Sequence, residues 1–149
     1  MRVVVQRAID ASCSVDGKIT GSIDKGYLLL VGFALDDTID DINYVAKKVA
    51  GLRIFEDENG KINLSLKDVN GSILSISQFT LYADVKKGNR PSFTNSAPGN
   101  VAKPLYDTFN NILRNEYDLC VEEGIFGADM KIKFTNDGPV TIIIDSKIR

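Results

Sequence analysis

Histidine is missing from all 149 residues. That removes the usual general base near neutral pH. Ser-His and Cys-His nucleophilic pairs are excluded, and so is histidine-ligated zinc. Any enzymatic chemistry has to come from backbone groups, hydroxyls, carboxylates, lysines or the substrate itself. Cysteine is nearly as scarce. Cys13 and Cys120 are the only two, lie far apart and form no C-x-x-C. They make a poor zinc site and no disulfide scaffold, and they read as a reduced, buried pair. An excess of basic charge is also lacking, the net charge being −2. A protein that tracks a long nucleic-acid backbone carries a basic surface, so any nucleic-acid contact is expected to be local, to one end or a few phosphates. No run approaches the roughly 20 apolar residues of a membrane span. The opening MRVVVQRAID lacks the basic, apolar and small-residue zones of a secretory leader, and a cytoplasmic location is the expectation.

What is present is ordinary for a globular chain: 44% hydrophobic and 26% charged residues, and a length that predicts one domain over 1–149. Arg2 to Arg7 reads as a first strand. Ser12 to Val15 and Ile19 to Ile23 flank Asp16-Gly17, a strong hairpin signal. Gly26-Tyr-Leu-Leu-Leu-Val-Gly32 is a continuous apolar run, expected to be a strand buried on both faces. From Asp37 to about Leu52 the apolar residues fall at helical spacing, with Asp36 or Asp37 as N-cap. EDENGK reads as a turn, and Ser72 to Asp84 as the longest strand-like segment. Val101 to about Glu116 reads as a second helix with Val101, Leu105, Phe109, Ile112 and Leu113 on one face and Pro104 in its first turn. DLCVEEG, MKIKF and PVTIIID read as strands. The order β-β-β-β-α-β-α-β-β-β predicts an α/β fold: a mixed, mostly antiparallel sheet with two helices packed on it.

Four segments could carry chemistry. SQFTLYAD, from Ser77, reads either as a core strand with Phe79 and Leu81 inward, or as a strand whose polar residues Gln78 and Thr80 line a pocket. A Thr80 nucleophile lacks the adjacent base it needs. KKGNRPSF places Lys86, Lys87 and Arg90 on a Gly/Pro loop, either a solvated turn or a small phosphate-contacting patch. GIFGADM, from Gly124, is a turn with core anchors or a shallow platform on which a base could pack against Phe126 or Met130. In TNDGPVTIII, Gly138-Pro139 interrupts two good strands, although proline cannot donate to a ladder and glycine weakens one. Alone, Asn136-Asp-Gly-Pro139 reads as turn chemistry or an edge-strand break.

Together these segments resemble the D-aminoacyl-tRNA deacylases. MRVVVQR, AGLRIFEDENGKINLSL from Ala50, SQFTLYAD, RPSF from Arg90, FGADM from Phe126 and NDGPVT from Asn136 occur in that family's order and spacing. The resemblance implies a cytoplasmic homodimer, with no metal or cofactor, that hydrolyses the ester joining a D-amino acid or glycine to the 3′ end of tRNA and rejects L-aminoacyl-tRNA. It implies an active site at the subunit interface. Gly138-Pro139, with a cis peptide bond, would reach into the partner's pocket as a stiff main-chain gauge of handedness. The terminal adenosine would rest near Phe126, Gly127 and Met130. The ribose 2′-OH would relay a proton or orient water, with the main chain of Phe79 and Thr80 stabilising the oxyanion and Ser77 and Gln78 bracing the pocket. Competing readings are a non-catalytic module that binds a nucleic-acid end, a hydrolase of free amino-acid esters and, least favoured, a metal-dependent hydrolase.

Overall fold

The computed structural model describes residues 1–149. Two long strands open it: β1 (Arg2–Val15) and β2 (Lys18–Gly32) form an antiparallel hairpin around Asp16-Gly17, both with positive φ. The helix α1 (Ile39–Gly51) follows, then a small two-stranded hairpin of β3 (Phe55–Glu56) and β4 (Ile62–Leu64). Next come β5 (Ser72–Ser77), a single 3₁₀ turn (Phe79–Tyr82), α2 (Gly99–Asn115), β6 (Val121–Glu123) and β7 (Lys131–Asp145). The main sheet runs β6-β5-β2-β1-β7. Its long β1–β2 and β1–β7 pairings are antiparallel, and the shorter β2–β5 and β5–β6 pairings are parallel. The mixed sheet with two helices is therefore as the pattern predicts.

Strand number differs from the sequence reading. The four strands read before the first helix are two, because shifts of register let β1 bend without ending, at Cys13/Ser14 against β2 and at two places against β7. Such bulges absorb an extra residue and increase local twist. MKIKF and PVTIIID are likewise one strand, β7, although its pairing with β1 skips residues 137–140 around Gly138-Pro139. EDENGK is the turn of the β3–β4 hairpin.

The curled sheet buries both faces over its centre. On one side α1 and α2 cover the main core, with Ile42, Val45, Ala46 and Val49 from α1 packed toward Phe109 and Leu113 of α2. On the other, a smaller cluster around Ala8, Cys13, Leu28, Leu74 and Ile76 is closed by Met130, Ile132 and Phe134. The run from Tyr27 to Leu29 sits between the two cores and is buried, as its unbroken apolar character predicts.

Three local expectations are corrected. The N-cap of α1 is Thr38, not Asp36 or Asp37; its N–H and hydroxyl donate to the Asp41 carboxylate at 2.8 and 3.2 Å, forming a capping box. Asp37 faces the other way and accepts hydrogen bonds from the Met1 amino group and the Ala34 N–H. α2 starts at Gly99 after Pro98, so Pro104 lies inside the helix and not in its first turn; Phe109, Ile112 and Leu113 are buried as read, joined by Ala102, Tyr106 and Asn110, while Val101 is exposed. Cys13 is buried but Cys120 is exposed, so the thiols are free without being a buried pair.

Candidate active site

β5 ends at Ser77, and the chain turns at once into the 3₁₀ turn. The strand predicted through Asp84 is therefore cut short, and the inward placement of Phe79 is wrong: its ring is 55% exposed. Two contacts force the turn. The Gln78 N–H completes the β2–β5 pairing by donating to the Val31 carbonyl at 2.7 Å, while the Gln78 carbonyl already accepts from Leu81 N–H at 3.3 Å. Gly32 makes room for it, since a Cβ there would lie 2.9 Å from the Gln78 carbonyl oxygen and 3.1 Å from Leu81 Cβ. The Gln78 side-chain amide donates to the Thr80 hydroxyl at 2.5 Å. Phe79 and Thr80 open the turn, so their N–H groups precede its internal bonds.

A cavity of about 630 Å³ opens beside this turn. It is bounded by the end of β2, by Ile76 to Phe79, by the segment leading into α2, and by Phe126 to Ile132. Of the residues singled out in the sequence, it gathers Ser77, Gln78, Phe79, Phe126, Gly127 and Met130. Thr80 is beside it, not in its wall. Lys86, Lys87 and Arg90 are exposed on a hairpin closed by the Asp84–Ser92 bridge, outside the cavity. Phe33, Phe93 and Ala102 also line it and were not read from the sequence as site residues. Phe93 had a signal: an aromatic in a polar Gly/Pro loop, with no periodic partner to bury it.

None of the cavity's 18 lining residues carries an ionisable side chain. Its polar groups are hydroxyls, one carboxamide and main chain. Behind it stands Tyr106, whose hydroxyl donates to the Ser75 carbonyl at 2.7 Å and whose ring lies 5.8 Å from that of Phe126. Burial pushes its pKa up to about 12, so it is a neutral donor bracing β5 and the Phe126 wall. Met130 reaches the cavity over Gly124, where a Cβ would lie 2.5 Å from the Met130 sulfur.

Gly138 and Pro139 are not in this cavity. They are exposed on β7, an edge strand of the sheet, where proline costs no ladder bond. Opposite them, β1 pairs Gln6 with Thr141 and Ala8 with Asn136, so Arg7 alone faces residues 137–140. The Gly138–Pro139 peptide bond is cis. Arg7, only 6% exposed, holds this segment: Nε donates to the Asp137 carbonyl at 2.8 Å and Nη1 to the Ile54 carbonyl at 2.9 Å. The Asn136 carboxamide closes the other side, accepting from Val140 N–H at 3.2 Å and donating to the Thr141 hydroxyl at 3.1 Å. Gly138 has φ of 137°, and a Cβ on it would meet Arg7 Nη2 at 3.1 Å.

The family model described as D-Tyr-tRNA(Tyr) deacylase matches residues 4–145. A solved structure titled "c-Myc DNA Unwinding Element Binding Protein" is 40% identical, with a TM-score of 0.91, covering 97% of this chain and 98% of that one. Another, titled "Structural Analysis of a probable eukaryotic D-amino acid tRNA deacylase", is 20% identical with a TM-score of 0.83, covering 96% of this chain and 97% of that one, and shows the same fold. Matched over nearly its whole length, the chain belongs to the D-Tyr-tRNA(Tyr) deacylase family, hydrolases that act on D-aminoacyl-tRNA.

Proposed function

We propose that this protein hydrolyses the ester of D-aminoacyl-tRNA and of glycyl-tRNA in the cytoplasm, rejects L-aminoacyl-tRNA, and does so as a homodimer. The observation that carries the reading is a cavity without a single ionisable side chain, beside the turn that Phe79 and Thr80 open. A general acid or base in the protein wall has no candidate there. The terminal ribose offers one: its 2′-OH neighbours the ester and can relay a proton or orient the attacking water. The protein then positions the ester and stabilises the oxyanion through the main chain of Phe79 and Thr80, with Ser77 and Gln78 bracing the pocket. Phe126, Gly127 and Met130 hold the terminal adenosine.

Handedness is read by Gly138-Pro139 of a second copy. In one chain these residues are exposed and lie outside the lining of the cavity they would serve, which supports a site completed across an interface. A main-chain gauge held by the Arg7 guanidinium cannot change rotamer. It excludes an L side chain by steric conflict while remaining indifferent to which D side chain is present. Lys86, Lys87 and Arg90 contact phosphates; neutralising Lys86 and Lys87 together should flatten the salt dependence of tRNA binding by about two charges' worth of slope.

The deciding experiment is deacylation of D-Tyr-tRNA and L-Tyr-tRNA on one tRNA. Turnover of the D ester with the L ester untouched is expected, and equal rates would sink the chiral gauge. A substrate ending in 2′-deoxyadenosine should be turned over far more slowly. The relative named as a DNA-unwinding-element binding protein favours a second reading: this chain binds a nucleic-acid end without turnover. Tight binding of uncharged 3′ ends with no hydrolysis of any charged tRNA would select it.

A further inference from the structure

The rings of Phe79 and Phe93 stand edge to face at the mouth of the cavity, their centroids 5.0 Å apart and their planes at 68°. Both are open to solvent, 55% and 39% exposed. An edge-to-face pair satisfies ring against ring while leaving flat faces free. Just beyond Phe93, the Asp84–Ser92 bridge closes the hairpin that carries Lys86, Lys87 and Arg90. The order outward is therefore cavity, two aromatic faces, then cations. An unpaired strand needs that sequence of chemistries as it leaves a pocket holding its last nucleotide: a stacking surface for the next base, then positive charge for the phosphates.

We propose that Phe93, backed by Phe79, is the stacking platform for the penultimate base of the RNA 3′ end. The inference rests on the reading above, in which the terminal nucleotide fills the cavity, and deepens it by one nucleotide. Stacking is indifferent to base identity, since every base has a π-face. This subsite therefore adds affinity for a single-stranded end without selecting among tRNAs, and it explains local RNA contact by a protein with a net charge of −2.

The test uses an uncharged, 5′-labelled single-stranded RNA ending in CCA, so that the result does not depend on turnover. Wild-type protein and Phe93→Ala are titrated with this RNA and with one abasic at the penultimate position. Each change alone should weaken binding by on the order of tenfold. Together they should weaken it little more than either alone, because they remove the same contact. Phe93→Tyr should bind as wild type does. Full additivity of the two losses, or no loss on Phe93→Ala, overturns the proposal. So does a loss of binding that follows dissociation of a dimer in sedimentation, which would mean that the rings seat a second copy and not a base. Failure of D-aminoacyl-tRNA hydrolysis with the non-additive pattern intact would sink the deacylase reading and leave this subsite standing.

Discussion

Gly32 shows how a single atom decides the site. It ends β2 directly beneath the turn that carries Gln78, and the 2.9 Å from its missing Cβ to the Gln78 carbonyl is too short for a methyl group. Neither partner is the end of a flexible side chain, so backbone must move. Gly32→Ala should therefore lower kcat for D-aminoacyl-tRNA by tenfold or more, the order of loss expected when an oxyanion donor is displaced, while the protein remains folded by circular dichroism. Thr80→Ala separates hydroxyl from main chain. Its hydroxyl accepts a hydrogen bond from the Gln78 amide. The variant should keep most of its turnover; near-complete loss with binding intact would revive a hydroxyl nucleophile.

At the scale of elements, the join between α1 and the chain's last residues carries the clearest charge cluster. Burial alone would raise the Asp41 pKa, but hydrogen bonds from the Ser146 hydroxyl, the Thr38 N–H and Lys147 outweigh it and hold the carboxyl well below its ordinary value. A carboxyl depressed in the folded state stabilises the protein above its unfolded pKa of about 3.9, and that contribution is lost as the pH falls below this value toward the folded one. Thermal stability should therefore drop on acidification below about pH 4, and Asp41→Asn should remove much of that slope while lowering stability at neutral pH. Thr38→Ala breaks the same capping box from the other side and should cost about 1 kcal/mol in denaturant unfolding. In α2, Pro104 withholds an N–H from the ladder and crowds the Asn100 carbonyl four residues earlier. Pro104→Ala should raise the unfolding midpoint.

For the whole molecule, the absence of histidine and a cavity without ionisable side chains make one kinetic statement. A bell-shaped pH–rate profile reports an essential acid and an essential base on the enzyme. Here kcat for deacylation, measured between about pH 6 and 9, should show no such bell. Two inflections in that window would place a protein side chain in the chemistry and defeat the main-chain and ribose account. The same scale governs the edge of the sheet. β7 is unpaired on its outer side, with Ile143 67% exposed and Gly138-Pro139 beside it. A long exposed edge is a template for another chain, and the proposed homodimer gives this one an occupant.

Much of the architecture was legible because periodicity reports burial. The unbroken run Tyr27 to Leu29 meant two covered faces, and the spacing Ile42, Val45, Ala46, Val49 meant one helical stripe. Asp16-Gly17 marked its hairpin because only residues tolerating positive φ fit there. The site was legible as segments: Ser77, Gln78 and Phe79 with Phe126, Gly127 and Met130 do meet around one cavity. Tertiary structure alone decided the rest, because those features depend on what lies across space and not along the chain. Phe79 turned outward because Gln78 used its N–H on Val31 and its carbonyl on Leu81. β7 resumed its pairing with β1 beyond Gly138-Pro139, while Arg7, distant in sequence, took up the Asp137 carbonyl in the gap. Val101 surfaced because the first turns of α2 bury Ala102 and Tyr106 instead, while Phe109, Ile112 and Leu113 stay inward. Patterning records how much of each residue is covered; only packing sets which atom covers it, since hydrogen bonds and steric fits are satisfied between partners that the sequence does not bring together.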